Sequence, residues 1–98
     1  MKRIHARSVI RKFWELHPDT EQYLKNWYDQ VLLADWKTPN DVKRDFSRVS
    51  ILKNGRLIFD IKGNSYRLVV KVNYAELWVF IRFIGTHEEY DKIDANSI

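Results

Sequence analysis

"SILKNGRLIFDIKGNSYRLVV", residues 50–70, decides how this chain folds. Asn54-Gly55 separates two runs of alternating apolar and polar residues. Both turn residues tolerate the positive φ that a tight hairpin turn needs, so the stretch predicts two antiparallel strands. Eight residues on, Gly63-Asn64 repeats the signal and adds a third strand. A weaker turn around Asn73 to Glu76 leads into a fourth. The expected strands run over about 48–53, 56–62, 65–74 and 77–84. Thr86 followed by Glu89 then has the form of a capping box, which predicts a short C-terminal helix.

Upstream of residue 47 the period changes from 2 to 3.6. Ala6, Val9, Ile10, Phe13 and Leu16 fall on one side of a first helix that Pro18 stops. Asp19 with Gln22 resembles a cap for a second helix, in which Leu24, Trp27, Tyr28 and Val31 recur at i, i+3, i+4 and i+7. Thr38 and Pro39 open a short third helix that ends near Phe46. Lys2 to His5 could form an N-terminal strand. The expected architecture is α+β: one domain over 1–98, with N-terminal helices packed on a twisted antiparallel sheet of about four strands.

The composition agrees with a packed domain, being 45% hydrophobic and 14% aromatic. No apolar run reaches the ~18 residues of a membrane span, and the first residues lack the apolar core of a signal peptide. Cysteine is absent, which excludes disulfides and thiol chemistry and fits a cytoplasmic protein. A net charge of +4 favours a polyanionic partner only if the positive charges cluster.

Alternation along the strands gives one apolar face for the helices to cover. It carries Leu57, Phe59 and Ile61, then Tyr66, Leu68, Val70, Val72 and Tyr74, then Leu77, Val79, Ile81 and Phe83. The opposite face gathers Arg56, Lys62, Arg67, Lys71 and Arg82 around Trp78 and Phe80. Cations around an aromatic floor suit a nucleic acid strand, whose phosphates pair with charge and whose bases stack on rings. An ordinary solvated face would look the same. Arg82 interrupts an apolar strand, where a buried guanidinium needs an anion, either Asp60 or an RNA phosphate.

His87 lies just past that strand, at the first position of the short helix. An imidazole beside a phosphate can act as a base near neutral pH, and it can equally be a tolerated polar residue. Tyr90 and Asp91 follow at i+3 and i+4, and Lys92 adds charge. His5 and His17 read as surface or packing residues, and the three histidines lack metal-ligand spacing. No Gly-rich phosphate loop and no nucleophilic Ser or Cys setting is present, so nucleotide hydrolysis and acyl transfer have no foothold.

"HPDTEQYLKNWY", "DVKRDF", "LIFDIKGNSYRLVVKVNY" and "VFIRFIGTHEEYDKID" together resemble the HigB family of type II toxins, within the RelE-like superfamily of mRNA interferases. That family often has Gly-Gly-Asn where this chain has Lys62-Gly63-Asn64, a turn expected to survive because Gly63 and Asn64 remain. The resemblance implies a toxin that cleaves mRNA in the ribosomal A site and is neutralised by a helix-turn-helix antitoxin of HigA type. It matches His87, Arg82 and Arg67 to catalytic positions. Lys71, Tyr90, Arg56, Lys62, Lys92 and Trp78 are the expected RNA contacts. The cleavage needs no metal or cofactor, because RNA brings its own 2′-OH nucleophile. A gyrase-inhibiting toxin on the same scaffold and a non-catalytic RNA-binding regulator are the rival readings.

Overall fold

A computed structural model describes residues 1–98. The elements in chain order are β1 (Arg3–His5), α1 (Arg7–Leu16), a 3₁₀ turn (Pro18–Thr20), α2 (Glu21–Leu33), α3 (Pro39–Asp45), β2 (Ser50–Ile51), β3 (Arg56–Ile61), β4 (Tyr66–Asn73), β5 (Trp78–Thr86) and α4 (His87–Tyr90). The fold is α+β, with a five-stranded sheet in the order β1-β5-β4-β3-β2. The fifth strand is the N-terminal segment, and it pairs parallel to β5, so the sheet is mixed. The first of the four expected strands shrinks to Ser50–Ile51.

Asn54 and Gly55 take φ of 59° and 74°, as a tight hairpin turn requires. At the second hairpin the positive-φ pair is Lys62 and Gly63, not Gly63 and Asn64. The lysine therefore occupies a left-handed conformation that costs an L-residue about 1–2 kcal/mol. Its ammonium is tied to Asp19 at 2.9 Å, a contact that opposes this cost. Asp19 is thus not a helix cap. Thr20 is buried in the 3₁₀ turn instead, its hydroxyl donating to the His17 carbonyl at 2.7 Å.

The helices cover one face of the sheet. Leu57, Phe59 and Ile61 of β3, Leu68, Val70 and Val72 of β4, and Val79 and Ile81 of β5 meet Ile10, Trp14, Leu24, Trp27, Val31, Trp36 and Val42. In α1 the buried side is Ile10 and Trp14, while Leu16, expected inside, is 79% exposed. Trp36 is fully buried, donates from its indole nitrogen to Asp45 at 2.9 Å and lies parallel to Phe59. Trp36→Ala is expected to cost about 3–5 kcal/mol. Urea unfolding would read it as a lower midpoint at unchanged slope.

The other face of the sheet is half covered. The chain after α4 returns across it, and Ala95 is buried against Ile58 and Val69, with Leu52, Phe83, Tyr90 and Ile98 packed around them. The half formed by β1, the start of β5 and the end of β4 stays outside this second cluster.

Candidate functional site

An irregularity in β5 places the first candidate. Val69 pairs with Phe83 and Val70 with Ile81, so Arg82 is an extra residue with no partner across the ladder. The insertion resets the alternation. Ile84 pairs with Leu68 and packs on the main core, whereas Phe83 joins the opposite face, reversing the rows expected for both residues. Arg82 is exposed, not embedded in an apolar strand. It pairs with neither Asp60 nor any other carboxylate, and it lines a shallow cleft of about 290 Å³ with Lys71, Asn73 and Phe80. Lys71 is likewise exposed and free of ion pairs.

Arg67 is held quite differently. Its side chain is 12% exposed, and its Nε sits 3.3 Å from Asp60. One terminal nitrogen donates to the Asn64 carbonyl at 3.0 Å and the other to the Asn64 side-chain oxygen. Its guanidinium carbon lies 6.0 Å from the centre of the Tyr90 ring, a cation–π contact. Most of its donors are therefore occupied. Tyr90 is also 6.5 Å, ring to ring, from Phe83, so the guanidinium and the two rings fasten α4 to the sheet. Gly85, opposite Arg67, leaves room for this: a Cβ there would come within 2.6 Å of the Phe83 ring. The sequence offered Asp60 as a partner for Arg82 and Asn64 as a turn residue, and matched neither to Arg67. An asparagine in a turn and an aspartate in an apolar strand were the available signals.

His87 opens α4. Its backbone N–H donates to the Ser65 carbonyl at 3.2 Å, which binds the helix start to the residue that leads into β4. The Thr86 hydroxyl accepts from Glu89 N–H at 3.2 Å, and the Glu89 carboxylate accepts from Thr86 N–H at 2.8 Å, closing the capping box. Asp91 stands 3.1 Å from His87 Nδ1. A carboxylate there accepts from Nδ1–H, which leaves Nε2 with the lone pair. The imidazole is 48% exposed. None of the four surface clefts is lined by both His87 and Arg82.

The other expected contacts divide. Arg56 donates to Ile98 at 2.9 Å and so anchors the C-terminal segment. Lys62 is separated from the basic face by its pairing with Asp19. Lys92 is exposed beyond α4, and Trp78 lies near Phe80 with Arg3 above its ring. His17 stacks on Phe13 at 4.3 Å and His5 on Phe80 at 4.9 Å, both as packing residues. No group of three or more His, Cys, Asp or Glu side chains comes together.

The family profile for the RelE-like toxic component of a toxin-antitoxin system, HigB toxin, matches residues 20–93. The chain belongs to the HigB toxin family. It is also 27% identical over 92 residues to "mRNA interferase HigB" of Escherichia coli O6:H1 (strain CFT073), covering 92% of this chain and 89% of that protein. In this HigB-family toxin the matched region contains β5, α4 and every candidate side chain. No helix is long and apolar enough to cross a membrane.

The Asp19 cluster gives the toxin a pH signature. Hydrogen bonds from Lys62 and Tyr66 hold the Asp19 carboxyl below its ordinary 3.8. The Thr86 backbone N–H does the same for Glu89, below 4.5. A depressed carboxyl contributes stability above its unfolded pKa and loses it as pH falls through the folded value. The hydrogen bond to Asp19 raises both Lys62 and Tyr66 above their ordinary 10.5 and 10.0. Their contribution is present below those values and is lost as pH rises through the raised ones. Asp19→Asn is expected to shrink the loss of stability at both ends, leaving the parts of the acid limb that come from Glu89 and from Asp41, whose carboxyl the Lys37 backbone N–H holds down. Urea midpoints measured from acid to alkaline pH test this, and unchanged limbs would remove the cluster from the account.

Proposed function

We propose that this toxin is an endoribonuclease that cleaves mRNA on the translating ribosome. The 2′-oxygen attacks the adjacent phosphorus as its proton passes to a base. The bond from phosphorus to the 5′-oxygen breaks as that oxygen takes a proton from an acid. The products are a 2′,3′-cyclic phosphate and a free 5′-OH. His87 serves as an acid/base group, with Asp91 fixing the tautomer that leaves Nε2 basic. Arg82 holds the phosphoryl oxygens and stabilises the charge that grows on them. Arg67 keeps at most a spare N–H for the phosphate and acts chiefly by fixing Tyr90, and through it α4. Tyr90 and Lys92 are the remaining RNA contacts at that end.

The observation that carries this reading is Arg82, raised out of the ladder by the bulge into a cleft shared with Lys71 and without an anionic partner. An unpaired guanidinium beside an ammonium suits a ligand with phosphate charge. Few catalytic groups are available, which fits an enzyme whose substrate is aligned by the ribosome. Alignment of reacting groups can supply ~7–11 kcal/mol of the barrier. The mechanism routes no step through a metal. A helix-turn-helix antitoxin is the expected neutralising partner.

Brief induction followed by primer extension on transcripts tests the proposal. Discrete cuts within coding frames are expected, with a free 5′-OH on each downstream fragment. Intact transcripts accompanied by broken DNA would favour gyrase inhibition, and intact transcripts and DNA would favour a binding-only module.

A further inference from the structure

The half of the sheet left bare by the C-terminal segment carries an organised set of side chains that the cleavage chemistry does not use. β1 pairs with β5 so that Arg3 lies beside Trp78 and His5 beside Phe80. β4 continues the rows, setting Asn73 beside Trp78 and Lys71 beside Phe80. Their neighbours Ile4, Val72 and Val79 are buried in the core, so these six residues face the other way. The His5 and Phe80 rings stack at 4.9 Å with 6° between planes, and Trp78 meets both edge-on. The Arg3 guanidinium lies 5.6 Å from the centre of the Trp78 ring. Trp78 and Phe80 remain partly exposed, while Arg3, Lys71 and Arg82 are fully on the surface. None of the three cations forms an ion pair; Glu76, in the adjoining turn, pairs with none of them.

Ring packing alone would account for fastening β1 to the sheet. It does not account for three unneutralised cations around partly open aromatic faces. That combination is complementary to single-stranded RNA, in which each base offers a face for stacking and each phosphate a charge. We infer that β1 completes a second RNA subsite, in which Trp78 and the His5–Phe80 stack hold a base of the transcript and Arg3 and Lys71 hold its flanking phosphates. Along β5 this platform lies roughly 20–25 Å from His87, so only a strand of several nucleotides reaches both. The subsite fixes where along the transcript the cleaved bond falls. It rests on the endoribonuclease reading for its biological role, whereas its binding is measurable apart from cleavage.

The test is fluorescence anisotropy of labelled single-stranded RNA, about ten nucleotides long, with His87→Ala protein so that the strand stays whole. Adding Trp78→Leu is expected to raise the Kd about tenfold or more. Trp78→Phe keeps a ring and should bind nearly as tightly as its parent. Arg3→Ala, at an exposed site that does not threaten folding, should weaken binding and reduce the salt dependence by about one ion. Unchanged affinity for the RNA in both Trp78→Leu and Arg3→Ala overturns the subsite. Cleavage by His87-intact protein is scored separately, so failure of the nuclease reading does not imitate failure of the platform.

Discussion

Replacing His87 with alanine is expected to slow RNA cleavage by about 10²–10⁴-fold, the usual worth of a positioned acid/base group, and to leave the folding transition where it was. The structural reasons for separating the two effects are specific. The imidazole is half exposed and its side-chain contact is with Asp91, itself 58% exposed. Exposed pairs of this kind contribute at most about 1 kcal/mol. What anchors α4 is elsewhere: the backbone bond from His87 to Ser65, the Thr86–Glu89 capping box, and Tyr90 packed beneath Arg67. Alanine preserves all three and is a good helix former. Asp91→Asn should give a smaller loss, because the ring remains and only its orientation and tautomer are released. Single-turnover cleavage of a programmed ribosome complex, alongside thermal unfolding, measures both quantities. A His87→Ala protein that cuts at the parental rate would take this residue out of the mechanism.

Arg82→Ala is expected to lower cleavage by about 10²–10³-fold, comparable to removing one donor from a site that stabilises developing negative charge. Arg82→Lys should recover part of the loss, since charge returns without the planar fork. A sharper test is to delete Arg82 outright. Ile81, Phe83 and Ile84 already pair with Val70, Val69 and Leu68. Removing the extra residue leaves those three pairs in regular alternation, so the domain should fold while cleavage falls as far as in Arg82→Ala. Circular dichroism and urea unfolding would confirm the first half, and cleavage assays the second. Arg67→Ala should behave otherwise. It strips partners from Asp60, Asn64 and the Tyr90 ring together, so stability should drop by about 1–3 kcal/mol along with activity. If Arg67→Ala lost activity alone, its assignment as the fastener of α4 would be wrong.

Short-range chemistry made much of this protein legible before folding. The Asn54-Gly55 turn, the capping boxes at Thr38 and Thr86, and the buried stripe of Leu24, Trp27 and Val31 depend on residues within four positions of one another. Such signals survive in the sequence because the backbone conformation they specify is local. Lys62 was misread for the opposite reason. Its ammonium pairs with an aspartate forty-three residues away, a partner that no turn rule can name.

The amino-acid order by itself determined the α+β class, the succession of strands, the family resemblance and the identity of the ionisable groups. Tertiary structure alone decided which of those groups stand free. A single unpaired residue in β5 changes the facing of every side chain beyond it, because strand alternation has a period of two and cannot absorb an insertion. That one offset leaves Arg82 without a partner across the ladder, brings Phe83 onto the face with Tyr90, and returns Ile84 to the core. Long-range pairing likewise ties down Arg67, Arg56 and Lys62 with Asp60, Ile98 and Asp19, and leaves Arg3, Lys71 and Arg82 unneutralised.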